Sequence, residues 1–289
     1  RWGAPMVSRM PPSDSATELT ADLGTDLTVH DWGGPRGAGL LFLMHGLTDS
    51  GECWPDAVSR WTAGYRVLSW DARGHGASPR FTAAERAAGA GTTMLRDAVS
   101  LLERLRSTGA EPPVVVGHSM GGGTAGSLAA TRPDLVRAVV LEDPALADGG
   151  TPEERRRADG AARAADARRW HEDPEKTFAE ERATNPGWPE AEYEPWARCK
   201  TQTDIAMLET GDLLVHGEPL EVLARVAVPT LIVTAGEEYL WDEAKRAAVR
   251  ALGNRHLEIA CIPGSGHCVR RSAPEAFHAL VDPWIADHA

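Results

Sequence analysis

Val-Val-Val-Gly-His-Ser-Met-Gly-Gly-Gly, residues 114–123, is the stretch of sequence that decides the fold. Three β-branched residues follow the breaker at residues 112–113, which predicts a short strand buried on both faces. The pattern G-x-S-x-G around Ser119 predicts a turn that is too sharp for side chains at its two glycine positions. Such a turn holds a serine in a strained conformation at the start of the next helix. Ser119 is therefore a candidate nucleophile at a strand–turn–helix junction.

Apolar runs alternate with helical patterns along the rest of the chain. The runs lie at residues 40–44, 66–70, 136–141, 230–234 and 257–262. This alternation predicts an α/β fold with a doubly wound, mostly parallel sheet. Weak alternation within residues 19–32 predicts an antiparallel strand pair at the edge of the sheet. Because parallel strands end at one edge, residues that directly follow the strands are the candidates for a site.

The composition changes between residues 145 and 220, where Ala, Arg, Glu and Asp dominate and strand-like runs vanish. A helical cap inserted between two core strands is predicted there. The chain then divides into an N-terminal arm at 1–18, a first core part at 19–144, the cap at 145–220 and a second core part at 221–289. Trp170, Trp188 and Trp196 lie within the cap. Aromatic side chains commonly line ligand pockets, so these three are predicted to bind substrate; the alternative is that they hold the cap on the core.

Charge and cysteine content exclude several classes of protein. The formal net charge of −12 argues against a nucleic-acid or anionic-membrane partner. The four cysteines lack zinc-finger spacing and are too sparse for a disulfide framework, which fits a reducing compartment. A cytoplasmic location is expected, and secretion after removal of a signal peptide stays open. The sequence does not determine the oligomeric state.

Two further motifs are similar to those of the α/β-hydrolases. His45-Gly46 follows the apolar run 40–44, and D-x-R-G-H-G-x-S occupies residues 71–78. With the G-x-S-x-G turn, they make the chain resemble that family over roughly residues 25–288. The resemblance implies a serine hydrolase in which the backbone N–H groups of Leu47 and Met120 form the oxyanion hole. His45 and the D-x-R-G-H-G-x-S turn are expected to be structural.

The same resemblance implies that His267 is the general base. A serine hydroxyl needs a neighbouring base to become a nucleophile. His267 stands in a Gly-Ser-Gly-His loop after the last predicted strand, and the family order is nucleophile, acid, histidine.

The sequence indicates the acid that orients this histidine less clearly than it indicates the serine and the histidine. Most of the family carries it after the strand 230–234, where this sequence has a tyrosine at residue 239 in place of the aspartate. A minority, haloalkane dehalogenases among them, carries it after the strand that follows the nucleophile helix. Asp143 stands at that point, at a similar spacing from Ser119, and is the predicted acid. Glu142, Glu237 and Glu238 stay open as alternatives.

Together these features predict hydrolysis of a carboxylic ester or lactone of a small, apolar substrate through an acyl-enzyme. Thioesterase, amidase, C–C hydrolase and acyltransferase reactions use the same machinery and stay open. So does a ligand-sensing hydrolase fold with incidental turnover. The nucleophilic serine argues against dehalogenase and epoxide hydrolase reactions, for which the family uses aspartate. No phosphate-binding loop or metal-ligand cluster is recognisable, so no cofactor and no metal are expected.

Overall fold

In the computed structural model, which describes residues 19–147, 149–236 and 239–289, seven strands form one sheet. They are β1 (Val29–Asp31), β2 (Leu40–Met44), β3 (Arg66–Trp70), β4 (Val114–His118), β5 (Ala138–Glu142), β6 (Thr230–Thr234) and β7 (Leu257–Cys261). Their order in space is β1-β3-β2-β4-β5-β6-β7. β1 runs antiparallel to β3, and all other neighbouring pairs are parallel. The predicted mostly parallel α/β fold is confirmed.

The strand pair predicted within residues 19–32 is wrong, because only one strand forms there. β1 pairs with β3, and residues 19–22 are helical. Leu19 and Leu23 lie one helical turn apart and share a face toward the core, where Leu23 is buried. Their spacing therefore serves a helical turn better than a strand.

Helices cover both faces of the sheet. They are α1 (Pro55–Trp61), α2 (Ala83–Ala87), α3 (Ala90–Ser107), α4 (Met120–Thr131), α5 (Glu153–Glu172), α6 (Pro174–Thr184), α7 (Glu190–Lys200), α8 (Ile205–Leu208), α9 (Pro219–Ala224), α10 (Glu243–Ala251), α11 (Val269–Ser272) and α12 (Pro274–His288). In β4, Val115 joins the apolar cluster on one face, while Val114 and Val116 join the cluster on the other. Burial on both faces explains the unbroken apolar runs. None of the described helices is at once long and apolar enough to cross a membrane.

A helical insertion follows β5, as predicted, and comprises α5 to α9 before the chain returns to the sheet in β6. α9 runs across residue 220, and the N–H of Ala227, just beyond it, donates to the Ala129 carbonyl of α4. The division of the chain at residue 220 remains a proposal. The N-terminal arm proposed for residues 1–18 lies outside the described residues.

The first helix of the insertion packs closely on the segment after α8. A Cβ atom added to Gly160 would lie 2.4 Å from the Leu208 carbonyl oxygen and 2.7 Å from the Gly211 backbone. Real Cβ atoms do not come that close to backbone, so this contact depends on glycine.

Gly160→Ala is therefore expected to lower the free energy of unfolding by about 1–3 kcal/mol, the usual cost of overpacking. Gly187→Ala is the matched control within the insertion, because a Cβ there would meet nothing within 4 Å. It should change stability little. Thermal unfolding of both variants checks this, and equal melting temperatures for the two would show that α5 is not packed as described.

Candidate active site

Ser119 lies in a strained turn between β4 and α4. Its backbone has φ 51° and ψ −113°, a conformation that non-glycine residues rarely adopt. A Cβ on Gly117 would lie 2.4 Å from the Gly121 carbonyl oxygen, and one on Gly121 would lie 2.2 Å from the Met44 carbonyl oxygen. The two glycines therefore let the turn close against β2. The side chain of Ser119 is held at the carboxyl end of the sheet, as the sequence predicted.

The structure brings Ser119, His267 and Asp143 together from the loops after β4, β7 and β5. The Oγ of Ser119 lies 2.8 Å from the Nε2 of His267, and the Nδ1 of His267 lies 2.5 Å from the Oδ2 of Asp143. Asp143 is fully buried, and its Oδ1 accepts from the N–H of Ala235 at 3.1 Å. Because a carboxylate accepts from Nδ1–H, the Nε2 of His267 is left as the acceptor facing the serine.

The alternative acids lie elsewhere or outside the described residues. Glu142 accepts from the N–H of Arg270 at 2.8 Å and from its guanidinium at 2.7 Å, deep in the protein. Tyr239, at the usual aspartate position, stacks on the His267 ring with centroids 6.3 Å apart. Glu237 and Glu238 fall outside the described residues. Among the described carboxylates, Asp143 is thus the one that meets His267.

The loop after β2 lies directly beside Ser119. Residues 46–49 form a turn in which the N–H of Asp49 donates to the Gly46 carbonyl at 3.1 Å. A Cβ on Gly46 would lie 3.4 Å from the Cβ of Ser119. Within the described part of the chain, the N–H groups of Leu47 and Met120 meet no protein acceptor. Two free donors next to a serine hydroxyl are what an oxyanion hole needs.

Two further histidines, both expected to be structural, are occupied by backbone groups. His45 donates from Nδ1 to the Gly46 carbonyl and accepts from the N–H of Ala72 at Nε2. His75 donates from Nδ1 to the Arg73 carbonyl at 3.0 Å. Burial lowers the pKa of His45, and burial together with the nearby His45 lowers the pKa of His75 to about 3.

His118, the residue before Ser119, makes a contact that the sequence did not predict. It is buried, and its Nε2–H donates to the carbonyl oxygen of His267 at 3.2 Å. Burial, with a smaller contribution from Arg270, holds its pKa well below the ordinary value. A neutral donor at this place fixes the backbone at His267. The position of His118 inside the G-x-S-x-G turn was the one feature of the sequence that could have indicated this contact.

The tryptophans of the insertion pack on one another. Trp196 meets Trp170 at 5.3 Å and Trp188 at 5.2 Å between ring centroids, both edge to face. Trp170 and Trp196 are buried, whereas Trp188 is partly exposed and lies under the guanidinium of Arg271. The cluster thus joins α5 to α7 and reaches α11, the short helix after His267. Contact of these rings with substrate stays a prediction.

A network of buried charges, also missed from sequence, ties the insertion to the core. Its pairs are Asp49–Lys200 at 2.8 Å, Asp49–Arg271 at 3.0 Å, Glu192–Arg271 at 2.9 Å and Glu142–Arg270 at 2.7 Å. Although burial raises the pKa of Asp49, Arg271 and Lys200 outweigh it and hold that pKa well below the ordinary value. The three acids and three bases compensate each other, so the network presents no unpaired charge to a ligand.

Two buried groups of side chains have the spacing of metal ligands. They are Asp49 with Cys53 and Cys199, and His118 with Glu142 and Cys268. In both groups the carboxylate already accepts hydrogen bonds from lysine or arginine, which would repel a metal cation. Burial also raises the pKa of the Cys268 thiol to about 12, which disfavours the thiolate that binds metals. Neither group fits a metal ion.

A cleft of about 770 Å³ lies at the other end of the sheet, at the start of the parallel strands. Arg66, Arg137 and Ala289 are among the residues that line it, and Ser119, His267 and Asp143 are not. Sites in parallel sheets lie at the carboxyl ends of the strands, so this cleft is not the candidate site.

The chain is similar in sequence to known proteins. Residues 40–280 match the profile of the alpha/beta hydrolase family. The chain is 37% identical over 126 residues to Lipase LipV of Mycobacterium tuberculosis (strain ATCC 25618 / H37Rv). The aligned residues make up 44% of this chain and 44% of the lipase. It spans less than half the length of the curated relatives it matches.

Two solved structures have a similar fold. The N-formylmaleamic acid deformylase of Pseudomonas putida S16 matches with a TM-score of 0.70 at 22% identity, covering 88% of this chain and 95% of that chain. The enol-lactonase of Burkholderia xenovorans LB400 matches with a TM-score of 0.64 at 21% identity, covering 90% of this chain and 96% of that chain. At these identities the likeness shows the fold alone.

The buried, neutral His75 should make stability depend on pH. Its pKa is about 3 in the folded protein and near 6.5 in the unfolded chain, so the unfolded state binds more protons between these values. Its contribution is complete above about pH 6.5 and is lost as the pH falls toward 3. Between pH 7 and pH 5 the free energy of unfolding of wild type should fall because His75 is buried and neutral. In His75→Asn, which keeps a donor for the Arg73 carbonyl, this fall should be smaller by on the order of 1–2 kcal/mol.

Denaturant unfolding at several pH values measures this difference. His171→Asn, at an exposed position on α5, is the control and should flatten the pH profile less than His75→Asn does. A His75→Asn variant with an unchanged pH profile would contradict the buried, neutral assignment.

Proposed function

We propose, from the premise that this chain belongs to the alpha/beta hydrolase family, that it is a serine hydrolase that cleaves a carboxylic ester or lactone. The observation that carries the proposal is the continuous line of hydrogen bonds from Ser119 through His267 to Asp143. The strained backbone of Ser119 supports it, since such strain is typical of functional sites.

In the proposed mechanism, Ser119 attacks the substrate carbonyl while the Nε2 of His267 takes its proton. Asp143 keeps the other proton on Nδ1 and stabilises the imidazolium that forms. His267 then gives its proton to the leaving alcohol, which leaves an acyl group on Ser119. In the second half, His267 removes a proton from water, and the resulting attack releases the acid and regenerates the serine.

The N–H groups of Leu47 and Met120 are the proposed oxyanion donors. Both are backbone groups that are fixed before substrate binds, so they need no reorganisation as charge develops on the carbonyl oxygen. One such donor contributes about 3 kcal/mol to stabilisation of the transition state.

An uncharged, partly apolar substrate fits the surroundings of the site. In the part of the chain that the structure describes, the buried cations Lys200, Arg270 and Arg271 are already paired with carboxylates, so none of these three is free for a substrate anion. Tyr239, stacked on His267, and Leu240 are among the few large apolar side chains exposed in the described chain. The similarity to Lipase LipV, which by its name is an ester hydrolase, favours an ester as the substrate of this chain. The insertion at 145–220 is proposed to select the substrate.

A panel of chromogenic esters, lactones, thioesters and anilides against wild type and Ser119→Ala tests the substrate class. Esters or lactones should be turned over fastest, and Ser119→Ala should abolish turnover of every substrate. Preferred turnover of thioesters or anilides would move the assignment to thioesterase or amidase. Turnover that survives Ser119→Ala would refute a serine hydrolase.

The role of the acid gives a further prediction. Asp143→Asn should lower kcat by at least about a thousandfold, because asparagine at this point favours the wrong imidazole tautomer. Glu237→Gln and Glu238→Gln are the matched controls at the alternative position and should stay within about tenfold of wild type. Full activity in Asp143→Asn together with loss in either control would place the acid after β6.

A further inference from the structure

The turn that carries Leu47 is itself strained. Thr48 has φ 63°, although it is β-branched and is not glycine. Left-handed backbone is a genuine outlier for such a residue and is strained. The turn closes through the hydrogen bond from Asp49 to Gly46. One backbone bond is a weak constraint against that strain, so contacts from outside the turn must help to hold it.

Those contacts come from the helical insertion. Lys200, the last residue of α7, donates from Nζ to the Thr48 carbonyl at 3.2 Å, the Thr48 Oγ1 at 2.9 Å and the Asp49 Oδ1 at 2.8 Å. An ammonium group has three N–H donors, so the turn occupies all of them. The side chain of Lys200 is only 11% exposed, which leaves little water to compete for these bonds.

The charge of Lys200 is maintained in this buried place. Burial lowers the pKa of its ammonium group, but Asp49 together with the neighbouring Cys199 and Cys53 outweighs burial and raises that pKa above the ordinary value. Arg271 holds the other oxygen of Asp49 and is held in turn by Glu192 of α7. The turn is thus clamped by α7 on one side and by the segment after His267 on the other.

We propose that Lys200 is a positioning residue for catalysis: it holds the turn at residues 46–49 so that the N–H of Leu47 faces the substrate oxygen. The inference rests on the proposed function, because it assigns the turn to the oxyanion hole. It makes the helical insertion a participant in the chemical step in addition to its proposed part in substrate selection.

If Lys200 were only a structural anchor between the insertion and the core, its substitution would have different effects. Loss of an anchor would lower stability and raise KM for bulky substrates. Loss of a positioning residue lowers kcat for a small ester such as p-nitrophenyl acetate. Arg198, two residues earlier on α7, supplies the matched control. It also joins the insertion to the core, through Glu52 at 3.1 Å, but it does not bind the turn.

The experiment compares Lys200→Met and Arg198→Met with wild type on p-nitrophenyl acetate, with melting temperatures measured in parallel. Lys200→Met should lower kcat by about 100-fold, the usual effect of misplacing one catalytic group by about 1 Å, and change KM less than threefold. Arg198→Met should stay within threefold in both. Lys200→Arg, which keeps the charge and the donors, should recover at least tenfold of the lost kcat.

Thr48→Gly gives a second test, because glycine adopts the left-handed backbone without strain. In that background Lys200→Met should cost less than tenfold in kcat. An equal loss with and without the glycine would overturn the proposal, and so would a folded Lys200→Met variant within threefold of wild-type kcat. If Lys200→Met does not fold, Lys200→Gln replaces it. At least a tenfold loss then supports the proposal, and a smaller loss overturns it.

Failure of this inference is distinguishable from failure of the proposed function. If Ser119→Ala abolishes turnover while Lys200→Met does not lower kcat, only the positioning role is wrong. If Ser119→Ala remains active, the proposed function is wrong as well.

Discussion

Ser119, the proposed nucleophile, is presented at the carboxyl end of the sheet by a backbone that is held away from its relaxed conformation. Thr48, Ser119 and Asp143 are the non-glycine residues with positive φ in the described chain, and all three lie at the candidate site. Each follows a different strand of the sheet, namely β2, β4 and β5. The parallel sheet thus serves as a rigid frame that holds three strained loops against one another.

Each strained residue is held by neighbours that have no chemical role themselves. Gly117 and Gly121 let the turn at Ser119 close against β2. The N–H of Ala235 fixes the side chain of Asp143, and the N–H of Asp143 donates to the Val233 carbonyl of β6 at 2.7 Å. The buried ion pairs likewise hold the loop after β2 in place. Removing one partner of a buried pair typically costs about 3–5 kcal/mol, so the insertion is tied firmly to the core.

Runs of β-branched and aliphatic residues made much of the fold predictable from the sequence. Strands 40–44 and 230–234 have the predicted bounds, because glycine, proline or a polar turn ends each of them. The strand pair at 19–32 was wrong because the weak alternation there hid the four-residue spacing of Leu19 and Leu23, which suits a helical turn.

The candidate site could be predicted only where local chain geometry determines it. The turn at Ser119 and the loop at His267 are marked by their own glycines, whereas the acid depends on which strand ends meet in space. Spacing favoured Asp143, and its contact with His267 became visible only in three dimensions. Arg271, Glu192 and Lys200 escaped notice because a charged residue in a sequence is usually solvated, and nothing local shows that it is buried.

Ser119 is proposed to form a covalent intermediate with the help of His267. Mass spectrometry of the protein after incubation with a fluorophosphonate detects such an adduct. One adduct per chain is expected, on the peptide that contains Ser119, absent in Ser119→Ala and formed far more slowly in His267→Ala. An adduct that persists in Ser119→Ala, or ester turnover by wild type that the reagent leaves unaffected, would contradict this proposal.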